Sequence, residues 1–213
     1  VPVWPLEGSR LYLCQLPVRP PEGSRLRYFW APVRPSEGPR LQPPDGFFDT
    51  NTVHRNLKLS DNNRKVTFVE ENQSYPDHPD RFVWPQLLCR TGLTGRCYWE
   101  VEWRGKVDIS VSYRRIRRRG YRYDCWFGQN DLSWSLTGSD DGYSVRHNKR
   151  ETSIRSSVSN RVSVYVDCPA GTLSFYRVSS DSLIHLHTFN TTFTEPLYPG
   201  FGIWSSGSSV FLC

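Results

Sequence analysis

Six arginines crowd nine positions in the stretch Tyr113-Arg-Arg-Ile-Arg-Arg-Arg-Gly-Tyr-Arg-Tyr123. Arg114, Arg115, Arg117, Arg118, Arg119 and Arg122 are interleaved there with Tyr121 and Tyr123, and Trp126 follows closely. A guanidinium is a planar fork that matches carboxylate and phosphate oxygens, and tyrosine adds rigid contact area. Such a cluster repels itself unless an anionic group lies near. The chemistry it suits is recognition of a protein with an acidic or phosphorylated surface, with Trp126 as a possible wall of the pocket. The net charge of +6 over 213 residues fits that partner and does not demand nucleic acid.

Two other polar segments are expected to join it. Residues 70–82 lie between two apolar runs and carry Tyr75, Asp77, His78, Asp80 and Arg81. Residues 137–150 are turn-rich and carry Tyr143 and Arg146. Recognition usually sits on loops held by a rigid scaffold, so the three segments are expected to form one shallow contact surface.

Catalytic constellations are sparse. Glu100 and Glu102 sit two apart and would share a strand face, the arrangement of a carboxylate pair for glycoside hydrolysis. His185 and His187 have the same spacing, but no third metal ligand is spaced near them. No Gly-rich phosphate loop with lysine and no G-x-S-x-G elbow occurs. No cofactor is expected. The six cysteines form no C-x-x-C pair and read as reduced thiols of a cytoplasmic protein. Two sequons, at Asn72 and Asn190, point weakly toward export.

The elements that must position these residues are strands. Val107, Ile109, Val111 and Tyr113 alternate with Asp108, Ser110 and Ser112. Trp99, Val101 and Trp103 alternate likewise, as do the valines of 162–166 and the apolar positions of 183–189 and 200–204. Pro169-Ala-Gly171 reads as a hairpin turn. Trp84, Trp99, Trp103, Trp134 and Trp204 are assigned to the core. Many short strands and no long amphipathic helix predict an all-β, two-sheet antiparallel sandwich. Residues 1–46 differ: three 15-residue repeats of the frame P-V-x-P-x-E-G-x-R-L predict an extended, disordered arm. The sequence holds no methionine, so it reads as a fragment of a longer chain, and no apolar run is long enough to insert in a membrane.

Four motifs in order resemble one family. Residues 49–60 (Asp49-Thr-Asn-Thr-Val-His54, then Leu57-Lys-Leu-Ser60), Tyr98-Trp-Glu-Val-Glu102, residues 164–176 around Gly171-Thr-Leu-Ser-Phe-Tyr176, and Leu197-Tyr-Pro-Gly-Phe201 are similar to the signature segments of the PRY-SPRY (B30.2-type) domain. Thr50 stands where the family's opening motif has proline, Val53 where it has alanine, and Cys168 where it has the tyrosine of Leu-Asp-Tyr. The resemblance implies a curved sandwich of the concanavalin-like jelly-roll kind, with a PRY segment at 47–94 and a SPRY segment at 95–213. It implies non-catalytic protein recognition by loops at one end, and a structural role for Glu100, Glu102 and His54. Such domains close tripartite-motif proteins, butyrophilins, fish NOD-like receptors and stonustoxin-like toxins. Phe127-Gly-Gln-Asn-Asp-Leu-Ser-Trp-Ser-Leu136 is most similar to the fish members of these groups, and the family resemblance as a whole implies the C-terminal ligand-sensing domain of an innate-immune protein. A carbohydrate-active jelly roll and a subunit of a pore-forming toxin are the alternatives.

Overall fold

The computed structural model describes residues 48–180 and 182–213. The repeats expected at 1–46 lie outside the described residues. In chain order the strands are β1 (Leu57–Ser60), β2 (Lys65–Phe68), β3 (Gln86–Leu88), β4 (Arg96–Arg104), β5 (Val107–Tyr113) and β6 (Ser133–Ser139). They continue as β7 (Gly142–His147), β8 (Arg150–Ile154), β9 (Arg161–Asp167), β10 (Thr172–Ser179), β11 (Ser182–Asn190), β12 (Leu197–Ile203) and β13 (Ser209–Leu212). The helix α1 (Arg122–Cys125) is a single turn.

Period two decides how these strands stack. Trp99, Val101 and Trp103 of β4 are at most 5 % exposed, whereas Arg96, Glu102 and Arg104 remain in solvent. Val162, Val164 and Val166 of β9 and Leu173 and Phe175 of β10 continue the same buried face. These strands belong to a seven-stranded sheet of order β1-β2-β13-β4-β9-β10-β11. The second sheet, of order β3-β12-β5-β6-β7-β8, contributes Val107, Ile109, Val111, Trp134, Leu136 and Val145 to the common core. Every pairing is antiparallel. Close approach of the two sheets needs a missing side chain at Gly138, where a Cβ would stand 3.0 Å from the Trp103 ring. The stretch 48–93 is woven into both sheets, since β2 pairs with β13 and β3 with β12.

The polar face of β5 is also buried. Asp108, Ser110 and Ser112 are at most 1 % exposed. After β5 the chain turns back across the outer face of the second sheet, and a second apolar cluster of Phe82, Leu88, Ile116 and Phe127 forms there. Gly200 makes room for it, because a Cβ on that residue would lie 2.6 Å from the Phe127 ring.

One expected loop is corrected. Residues 137–150 are not a connection but parts of β6, β7 and β8. Two tight turns shorten it, at residues 140–141 and 148–149. Asn148 and Lys149 both have positive φ, 48° and 65°, which suits the right-handed twist of the flanking strands.

Candidate recognition surface

The arginine segment is anchored by its one apolar residue. Ile116 is 2 % exposed and closes a turn through its N–H to the Tyr113 carbonyl, 3.2 Å. At the far end Cys125 is buried, and the Gln86 side-chain amide donates to the Cys125 carbonyl at 2.5 Å. The arginines between these anchors therefore have fixed neighbours.

Most of them are already partnered. Arg114 bridges Asp49 at 2.7 Å and Asp80 at 3.0 Å, and it faces the Tyr198 ring. Arg115 donates to Glu195 at 2.5 Å, and Arg117 lies 3.9 Å from Asp124. Arg118 is half-buried, donates to the Ile116 and Arg114 carbonyls, and packs 4.7 Å from the Phe82 ring centroid. Burial pulls its pKa below the usual arginine value. Arg119 and Arg122 form no ion pair with a described residue. Arg122 lies over the exposed Tyr123 ring, which Lys149 also approaches to 5.4 Å. The expected self-repulsion is thus relieved largely from within the fold.

Arg114 yields a stability prediction. Asp49 is only 5 % exposed, so losing the guanidinium strands a buried carboxylate. Arg114→Ala should cost about 2 kcal/mol in urea unfolding, discounted from the fully buried case because Arg114 is itself partly exposed. A loss below about 0.5 kcal/mol would remove Arg114 from the scaffold.

The 70–82 segment is tied to the same end. Val83 N–H donates to the Arg118 carbonyl at 3.1 Å, and Trp84 Nε1 to the Gly120 carbonyl at 3.3 Å. Arg81 is 7 % exposed and donates to the carbonyls of Pro76, Thr50 and Val53, so it tethers the segment and is not a free contact group. Asp80 is committed to Arg114, and the Tyr75 hydroxyl donates to the Leu57 carbonyl at 2.8 Å. Asp77 is almost wholly exposed and pairs with Arg55 at 2.5 Å. His78 accepts the Asp80 N–H at Nδ1, 3.1 Å, leaving Nε2 as a donor in the neutral ring. His54 accepts the Asn56 N–H and bonds the Val83 backbone, and burial lowers its pKa. His54, Arg55, Asp77, His78, Arg81 and Val83 line a cleft of about 290 Å³ together with Asn72 and Arg119.

Two expected contact residues are corrected. Tyr143 is 4 % exposed, edge-on to Trp103, with its hydroxyl donating to the Ser159 carbonyl at 2.7 Å. Arg146 lies along the outer sheet face between Glu151 at 3.0 Å and the buried Asp108 at 3.8 Å. Tyr143 is held in the core and Arg146 is engaged by two carboxylates, because their segment is strand. Only its turn at 148–149 reaches the basic end; Asp140 lines a separate cleft with Arg104 and residues 205–208.

The sequence also misassigned two tryptophans. Trp84, Trp126 and Trp204 are half-buried on the outer face rather than in the core. Trp126 packs edge-on to Trp84 at 5.1 Å and at 47° to Trp204 at 4.7 Å. Val83, 45 % exposed, extends this shelf toward the cleft. The unbroken apolar run Phe82-Val-Trp84, which breaks the alternation of a one-sided strand, was the available signal.

The carboxylate pair is neutralised. Glu100 accepts the Tyr98 hydroxyl at 2.6 Å and pairs with Arg161 at 2.6 Å, while Arg161 also lies 3.8 Å from Glu102. His185 Nε2 bonds Thr188 Oγ1 at 2.8 Å. Among the described residues no three His, Cys, Asp or Glu side chains group as metal ligands.

Comparison with known proteins agrees with this architecture. The SPRY-associated (PRY) domain model matches residues 47–93 and the SPRY domain model residues 96–213. The chain is 44 % identical to stonustoxin subunit alpha of Synanceia horrida over 76 % of its own length and 24 % of the toxin subunit. It is 36 % identical to tripartite motif-containing protein 16 of Mus musculus, over 76 % of this chain and 30 % of that protein. The chain therefore spans about a quarter of the length of the curated relatives it matches. The solved structure of the TRIM65 PSpry domain superposes with a TM-score of 0.72 at 26 % identity, covering 79 % of this chain and 89 % of that one.

Proposed function

This chain belongs to the SPRY family, with the SPRY-associated segment ahead of it, and from that membership we propose that its basic end captures an anionic surface of another protein. SPRY domains are generally protein-interaction modules, and the finer assignment concerns the surface and the charge of the partner. The observation that carries it is the pair Arg119 and Arg122, exposed and without an ion pair to any described residue, on a segment anchored by Ile116 and Cys125. A preorganised cation loses little entropy on meeting a carboxylate or phosphate. Tyr121, 75 % exposed, and Tyr123 supply contact area beside the charges.

The test compares the full 213-residue chain with the triple variant Arg117→Glu, Arg119→Glu and Arg122→Glu as baits in cell extract. Arg118 is left intact because its guanidinium is part of the fold. Partners of the parent should be lost from the variant at an unchanged thermal midpoint. An identical partner set would overturn the assignment of the surface, and capture of RNA alone would overturn the protein partner.

The wider role, the ligand-sensing domain of an innate-immune protein, is supported by the similarity to tripartite motif-containing protein 16. A second reading, a domain of a cytolytic toxin subunit, is favoured by the 44 % identity to stonustoxin subunit alpha. Placement in the cytoplasm is supported by the free thiols of Cys89, Cys97, Cys125, Cys168 and Cys213, and a glycan found on Asn72 would overturn it.

A further inference from the structure

The cleft and the tryptophan shelf are adjacent. Val83 lines the cleft, and Trp84, the next residue, is hydrogen-bonded to Gly120, the neighbour of Arg119. An anion site and an apolar site thus share one short strip of backbone. We propose that this strip binds an extended segment of the partner protein, seating one aspartate or glutamate carboxylate in the cleft and a large apolar side chain on Val83, Trp84 and Trp126. The proposal rests on the recognition reading and goes beyond it by naming the ligand's form.

The donors decide the anion. Arg119 is the guanidinium of the cleft without an ion pair to a described residue; Arg55 is shared with Asp77 and Arg81 is spent on carbonyls. His78 offers Nε2, and the exposed Asn72 side chain has no hydrogen-bond partner among the described residues. One guanidinium free of ion pairs to described residues and two further N–H donors match a singly charged carboxylate better than a phosphate dianion. The shelf decides the neighbour. Val83 is 45 % exposed, and Trp84 and Trp126, packed edge-to-face, are each only half-buried, leaving apolar surface beside the charge. Aromatic anchors rimmed by arginine are the usual composition of binding hot spots. The 290 Å³ cleft is too small for a folded partner to enter but admits one side chain from an extended strand.

The experiment pans a random dodecapeptide phage library on the 213-residue chain. Enriched peptides should carry Asp or Glu within three positions of Leu, Phe or Trp. A synthetic representative should bind at least tenfold more weakly to Arg119→Glu and to Val83→Asp, both of which replace exposed side chains. Changing its acidic residue to lysine should restore binding to Arg119→Glu, an effect that mere structural damage would not produce. Enrichment without acidic residues, binding indifferent to both variants, or failure of the lysine swap would overturn the inference while leaving protein recognition standing. Stronger binding of a phosphoserine version would overturn the carboxylate. Capture of no peptide and of no protein would remove the recognition reading along with it.

Discussion

Asp108→Ala is expected to lower stability by about 3 kcal/mol, a fall in thermal midpoint of roughly 6–12 °C for a chain of this size. The carboxylate is 1 % exposed on the outer face of the second sheet. It accepts the Thr137 hydroxyl at 2.6 Å and the Trp204 indole N–H at 2.7 Å, with Arg146 at 3.8 Å. Alanine would leave the hydroxyl and the indole N–H without that acceptor, and each orphaned buried group costs about 1–3 kcal/mol. The damage would extend to the candidate site, since Trp204 packs on Trp126. Peptide binding at the shelf should weaken in step with stability. Thermal unfolding within about 2 °C of the parent would show that the network contributes little.

The same residue sets a pH signature. Burial raises the Asp108 pKa above the ordinary 3.8, against the lowering effects of Arg146, Thr137 and Trp204. A raised folded value means that the folded chain holds the proton to higher pH than the unfolded chain. The titration of this group therefore stabilises the fold below the ordinary value and loses that contribution as pH rises through the folded value. Glu151 works in the opposite direction: its hydrogen bond to Arg146 lowers its pKa, so its contribution is present above the ordinary value and lost in acid. In a comparison with Asp108→Asn, which cannot titrate, the Glu151 effect is common to both proteins. The parent should gain on the variant as pH falls from about 7 toward about 4.

The sheets were legible in the sequence because burial on one side imposes period two, as in Trp99, Val101 and Trp103. The failures occur where turn residues crowd a short, half-exposed strand or a polar residue is covered by its own chain. Residues 142–154 have the period of a strand at Tyr143 and Val145 only, and the turn residues around them dominate the pattern. The arginine segment was legible as a unit but not residue by residue. Whether a guanidinium faces solvent or Asp49 depends on a pairing 65 residues apart, and no local pattern encodes that. Trp84 and Trp204 misled for the complementary reason: composition assigns tryptophan to a core, and here both pack half-buried against Trp126 on the outer face.

Gly171→Ala is expected to be at least as severe as the Asp108 change, about 3 kcal/mol or more. Gly171 closes the turn between β9 and β10 at φ +70°, a left-handed conformation that costs an L-residue about 1–2 kcal/mol. A Cβ there would also stand 1.9 Å from the Thr191 carbonyl oxygen, which is backbone and cannot swing aside. Relieving that clash means moving residue 191 away from the turn and losing the bond from Thr191 N–H to the Gly171 carbonyl, now 2.8 Å. The turn and the exit from β11 would separate, and β10–β11 pairing would fray from Thr172 and Asn190 inward. Two further substitutions divide the effect. Gly142→Ala, at φ +135° with open space around it, carries the backbone cost without a clash. Gly95→Ala, with nothing within 4 Å, carries neither. Chemical denaturation should rank the three Gly171, Gly142, Gly95 in decreasing loss, with Gly95→Ala near neutral. Equal losses at Gly171 and Gly142 would mean that residue 191 yields freely, and the hairpin would then be held by its strands and not by its turn.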